Sequence, residues 1–265
     1  MLGENSTLTS AMNRTARLTT PVALSLAALA ALIVFIVPVG GETDAEKEFE
    51  VLVFSKTEGF RHGSIPAGIE AIEELGREHG FAVEATEEAA VFTDENLAGY
   101  AAIVFLNTTG TLFDEDQRVA LKGYIRSGGG YVGVHSAADT EYDWPWYGEL
   151  VGAWFENHPP VQEAVIDVED RDHPSTRHLP ERWERRDEWY NYRRNPRDEV
   201  EVLLTLDPET FDGSGMEEDH PIAWCREFDG GRSWYTGGGH TEESYSEPEF
   251  REHLLGGIRW TAGKR

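Results

Sequence analysis

From Phe49 onward, short apolar runs alternate with segments whose apolar residues recur at helical spacing. Residues 49–55 are an apolar β-type run and predict a strand. Ser64 then stands as a helix cap, and Pro66 suits the first turn. Ile65, Ile69, Ile72 and Leu75 follow with helical period until Gly80 ends the helix. Residues 81–86 predict a second strand and 94–97 a helical turn. Residues 101–106 are wholly apolar, as in a parallel strand covered on both faces. Residues 114–127 predict a helix with Val119, Leu121 and Ile125 inward, closed by Gly128-Gly129-Gly130, and 131–134 form the next strand. The order β-α-β-α-β-α-β implies right-handed crossovers and an α/β, doubly wound, mostly parallel sheet. From Trp144 the pattern changes. Residues 161–168 and 201–206 read as strands, 221–228 and 232–236 as a late hairpin around Asp229-Gly230-Gly231, and 249–260 as the closing helix.

The start of the chain has a different character. Arg14 and Arg17 precede an uncharged stretch, 18–41, whose apolar part, 22–39, is about as long as a membrane span. The segment has no polar face, which argues against a buried core helix. The basic flank would stay inside. The expectation is therefore a leader at 1–41, a polar linker at 42–48 and one domain at 49–262, either membrane-anchored and extracytoplasmic or secreted. An uncleaved anchor and a signal cut near Val39-Gly40-Gly41 both fit, and Met12 is an alternative start.

Charge narrows the function. Lys and Arg number 23 against 49 Asp and Glu, a net charge of −26, and only Glu4, Arg14 and Arg17 of these fall in the first 40 residues. Nucleic acid requires clustered cations. The basic residues of 182–197 are interleaved with acids, so nucleic acid is not an expected partner. The acidity reads as solubility. With one cysteine, Cys225, no intramolecular disulfide can form. It lies in the apolar run 222–228 and reads as a buried structural thiol.

In doubly wound sheets, ligands bind beyond the carboxyl ends of the strands. The first strand delivers Arg61 and His62 to that edge. The strand at 101–106 delivers Asn107, Thr108 and Thr109, the strand at 131–134 delivers His135 and Ser136, and the strand at 232–236 delivers Gly237-Gly238-Gly239-His240. Three histidines thus converge by separate routes. Gly133-Val134-His135-Ser136-Ala137 has the spacing of a nucleophile elbow, with a histidine on the perch. Such a residue serves as a base or metal ligand rather than as an acyl carrier. His240-Thr241-Glu242, if extended, puts imidazole and carboxylate on one side. Asp187-Glu188-Trp189-Tyr190-Asn191-Tyr192 sets two acids beside three aromatics, a composition suited to a sugar, whose C–H face packs on rings while carboxylates take its hydroxyls. His79 and His253 read as solvated helix residues and His173 and His178 as surface residues. His158 lies in a loop able to fold over the site.

Together the runs 53–62, 129–140, 187–191 and 235–241 resemble the ThuA-like, trehalose-utilisation family, from about Phe49 to Trp260. The resemblance implies a flavodoxin-like fold of the class I glutamine amidotransferase type. His240 and Glu242 look like that fold's His-x-Glu pair, but the elbow cysteine is replaced by His135, so cysteine-dependent amidotransfer is not expected. The family association implies a small carbohydrate or keto-sugar ligand but no defined reaction; with the converging histidines, the expected reaction is hydrolysis or isomerisation of an oxidised glycoside by a histidine-based site. In one version a divalent metal sits on His62, His135 and His240. In the other, His135 and His240 act as acid and base with Glu242 orienting an imidazole. Arg61, Asn107, Ser136, Glu188, Trp189 and Tyr190 are the expected substrate contacts. The alternative is a non-catalytic, surface-tethered sugar-binding module. The sequence sets no oligomeric state.

Overall fold

The computed structural model describes residues 47–264. Its first half follows the expected winding: β1 (Glu50–Phe54), α1 (Ile65–His79), β2 (Ala82–Thr86), α2 (Asp94–Leu97), β3 (Ala102–Leu106), α3 (Glu115–Arg126) and β4 (Gly130–Val134). The second half contains α4 (Pro145–Val151), β5 (Phe155–Asn157), β6 (Gln162–Val168), β7 (Arg182–Asp187), β8 (Asn191–Tyr192), β9 (Glu201–Leu206), β10 (His220–Phe228), β11 (Gly231–Thr236) and α5 (Pro248–Thr261). Nine strands form one sheet in the order β2-β1-β3-β4-β11-β10-β9-β6-β7. The first five run parallel. The turn into β10 reverses the direction, and every later pairing is antiparallel. Strands β5 and β8 make a separate two-stranded antiparallel ribbon.

Burial explains the parallel half. Every side chain of β3 and β4 is buried, because helices cover both faces. Helix α1 packs on β2 and β3 and against α5, which covers β4 and β11, and α3 and α4 also reach β11. Phe54, Phe92, Phe105 and Phe113 interlock in the core with ring centroids 4.5–6.0 Å apart.

Several expectations are corrected. Val119 of α3 is 56% exposed, and the inward residues are Ala120, Leu121, Tyr124 and Ile125. At 100° per residue, 119 lies roughly opposite 121, so both cannot face the sheet. Ser64 does stand at the N-cap of α1, but its hydroxyl donates to the carbonyl of Gly239 instead of capping the helix. His253 and His173 are buried, not solvated. The membrane-anchored or exported placement is also corrected: among the described residues no helix is long and apolar enough to cross a membrane. The segment that suggested it, 18–41, lies outside the described residues.

Candidate functional site

The site lies at the carboxyl edge of the sheet, where two strands end in strained turns. Asn107 follows β3 with φ 50°, and His135 follows β4 with φ 48°, conformations that cost a non-glycine residue about 1–3 kcal/mol. The His135 turn is the elbow expected from its spacing. Its carbonyl accepts from the Tyr235 hydroxyl at 2.8 Å, which locks the strained peptide in place. Gly133 permits the close packing below it, since a Cβ there would sit 2.9 Å from Tyr131 and Tyr235.

His62, His135 and His240 do meet, with ring centroids 4.9–5.2 Å apart and planes close to perpendicular. Glu188 completes the group. One donor atom from each of the four lies within 4.8 Å of every other. Oε2 of Glu188 is 3.4 Å from Nε2 of His135 and 3.1 Å from Nδ1 of His240. Both approaches are off axis, and these two buried nitrogens have no hydrogen-bond partner. Oε1 of Glu188 is 3.0 Å from Nδ1 of His158, whose loop does fold over the site.

The surroundings orient the imidazoles. Nδ1 of His135 donates to the carbonyl of Gly237 at 2.8 Å, which turns Nε2 toward the cluster. Nδ1 of His62 lies 3.3 Å from the Ser136 hydroxyl. Burial, reinforced by His135 and His240, pushes His62 down to about 3, so it is a neutral ligand at physiological pH. Burial opposes ionisation of Glu188, but the adjacent His135 and His240 outweigh it and hold the carboxyl below the usual range. For His240 burial works downward, yet Glu188 wins and raises it.

This arrangement suits a metal ion. Buried unpartnered polar atoms are expensive unless a ligand satisfies them. Three imidazoles and a carboxylate are a donor set for a borderline or harder divalent ion. Two bonds of about 2.1 Å span about 4.2 Å when opposed and about 3.4 Å at the tetrahedral angle, so donors up to 4.8 Å apart close on an ion with shifts of about 0.6–1.4 Å at the widest pair. Beside it is a cavity of about 290 Å³ lined by Phe60, His62, Asp139, Phe155, His158, Glu188, Tyr190 and His240. Tyr190 packs against His135 and Phe155 with centroids 4.1 and 4.2 Å apart and ring planes tilted by 33° and 45°. Among the described residues, larger surface hollows, such as one of about 430 Å³ beside Asp229 and Gly263, hold no comparable cluster.

The remaining expected site residues are placed differently. Glu242 is exposed, has helical backbone, φ −64° and ψ −35°, rather than the extended one expected, and is not one of the four clustered donors. Arg61 is exposed and paired with Glu87 at 2.6 Å. Trp189 is fully buried, and its indole donates to the carbonyl of Gln162. Asn107 is buried and donates to the carbonyl of Gly239 and to Ser64. Ser136 touches His62 rather than the cavity. The glycine run packs against protein: a Cβ at Gly237 would lie 2.5 Å from Ile222, and one at Gly238 2.5 Å from Arg185. Sequence reasoning assigned Glu188 to substrate and missed it as a fourth member of the cluster able to hold a metal, and it did not single out Asp139, which lines the cavity. Cys225 is buried, its thiol pushed up by burial, and it is not part of the cluster. The site is therefore histidine-based, with no cysteine-based catalytic pair.

Known structures share the architecture. A ThuA-like protein of Bacteroides uniformis matches with a TM-score of 0.70 at 24% identity, over 84% of this chain and 94% of that one. One of Parabacteroides merdae matches at 0.69 and 21%, over 82% and 91%. A protein of Salmonella typhimurium named as cytoplasmic matches in fold at 0.56 and 13%, over 80% and 98%. No curated protein matches the chain in sequence. The family model described as trehalose utilisation matches residues 50–261, which span the whole sheet and all four cluster residues, and the chain belongs to that family, ThuA.

Proposed function

We propose that this chain is a metal-dependent enzyme that hydrolyses or isomerises a sugar or keto-sugar, with the ion held by His62, His135, Glu188 and His240. The observation that carries this reading is the pair of buried, unpartnered nitrogens on His135 and His240 that converge on a buried carboxylate beside a cavity. A bound ion supplies Lewis acidity to a carbonyl or a water molecule. Four protein donors would fill a tetrahedral ion, so a metal accepting five or six donors is the better fit for turnover. The cavity, near the low end of about 300–1,000 Å³ for ligand pockets, suits one sugar ring. Phe155 and Tyr190 offer aromatic surface to its C–H face.

Asp139 is the proton-transfer group of this reading. It lines the cavity outside the donor set, and one oxygen is held at 2.6 Å by the Tyr142 hydroxyl. Burial raises its pKa, in the direction that suits a group exchanging protons near neutral pH. The family's description, trehalose utilisation, supports a carbohydrate as the substrate class.

The test is elemental analysis of the purified protein, followed by a screen of disaccharides and keto-sugars with and without chelator. About one ion per chain and chelator-sensitive turnover are expected. His135→Ala should lose the ion, whereas Asp139→Asn should keep it and lose turnover. Metal-free protein that binds sugar without converting it would favour a sugar-binding module instead.

A further inference from the structure

Asp187 and Glu188 are adjacent acids with opposite fates. Glu188 faces the cavity, whereas Asp187, the last residue of β7, is fully buried behind it. A buried carboxylate is costly unless its lone pairs are used, and here they are. Oδ1 accepts the backbone N–H of Glu188 at 2.9 Å and of His240 at 3.1 Å. Oδ2 accepts the backbone N–H of Gly239 at 2.8 Å and the Ser244 hydroxyl at 3.0 Å, and it lies 3.1 Å from the Arg185 guanidinium. Arg185 is itself buried and paired with Glu247 at 3.0 Å.

We infer that Asp187 is the positioning residue of the site, setting Glu188 and His240 in place before an ion arrives. The inference rests on the metal reading above and deepens it. A general stabilising ion pair could sit anywhere in the core. This carboxylate instead grips the main chain of two candidate ligands that arrive from segments 52 residues apart. Gly238 makes the approach sterically feasible, since a Cβ there would lie 2.5 Å from Arg185 and 3.3 Å from Asp187. Asp187 does not line the cavity, so it has no access to substrate.

The experiment titrates the metal-free full chain with Zn²⁺ and Co²⁺ by calorimetry and follows the visible absorption of bound Co²⁺. Asp187→Asn, which leaves one oxygen to serve the same donors, should weaken both ions by about 10- to 100-fold and alter the Co²⁺ spectrum, as loss of outer-shell partners does. Ser244→Ala, which removes one donor to Asp187 and a buried hydroxyl that Arg185 and Thr241 also use, should weaken them by a few-fold, with a lowered metal-free melting temperature that the destabilised control allows for. Gly257→Ala, placed away from the cluster, serves as a destabilised control whose affinity should match wild type. Wild-type affinity in Asp187→Asn overturns the inference. If that variant does not fold, Ser244→Ala decides, and unchanged affinity there overturns it equally. A wild type that binds neither ion sinks the metal reading and this inference together, whereas tight wild-type binding unaffected by the variants sinks only the inference.

Discussion

The buried histidines outside the site give the chain a calculable acid sensitivity. His253 on α5 is fully buried against Trp234, with centroids 4.8 Å apart, and its Nδ1 donates to the carbonyl of Ser175 at 2.7 Å. Its Nε2 has no partner. Burial pushes it from 6.5 down to about 3. The unfolded chain therefore takes up the proton first, and stability falls as pH drops below about 6.5 until the folded pKa is reached. Each unit in that window costs about 1.4 kcal/mol per histidine, so His253 alone removes about 2–3 kcal/mol by about pH 4.5. Folded domains hold only about 5–15 kcal/mol in total. The perturbation is His253→Asn, whose amide nitrogen can keep the bond to Ser175 but does not titrate. The assay is urea unfolding at pH steps across that window. The variant should be less stable near neutrality, having lost ring contacts, but its stability should fall with pH by about one proton less than wild type. Identical slopes would refute a neutral, buried His253.

Cys225 should react with a thiol reagent only on unfolding, because burial both shields the sulfur and raises its pKa. Cys225→Ser should leave the metal content unchanged. Glu242→Gln should do the same, since that carboxylate is exposed and outside the donor group, and a lost ion would return it to the site. Gly257→Ala should destabilise by about 1–3 kcal/mol in thermal or urea unfolding, because its Cβ would sit 2.5 Å from the Trp234 ring. Helix propensity alone favours alanine over glycine by about 1 kcal/mol, so a stabilised variant would contradict this packing.

The parallel half of the fold was legible because its covered strands are uniformly apolar and its helices repeat at 3.6 residues. The residues just past β1, β4 and β11 followed from that order, since parallel strands share a carboxyl edge, and His62, His135 and His240 were named on that ground. Strand β7 escaped notice because its buried row is Trp183, Arg185 and Asp187, two of them charged, so no hydrophobic alternation marks it. The role open to Glu188 depended on that strand. Between β4 and β7 lie five strand-to-strand steps, about 24 Å in a flat sheet. Yet Glu188 is 3.4 Å from His135, so the antiparallel half must curl over the parallel edge. Local pattern determines which residues reach the edge of their own strand. It carries no information about the accumulated twist of nine strands, or about which buried charges pair across it. Those long-range contacts, Asp187 with the 239–240 backbone and Glu188 with two histidines, exist only in the folded sheet.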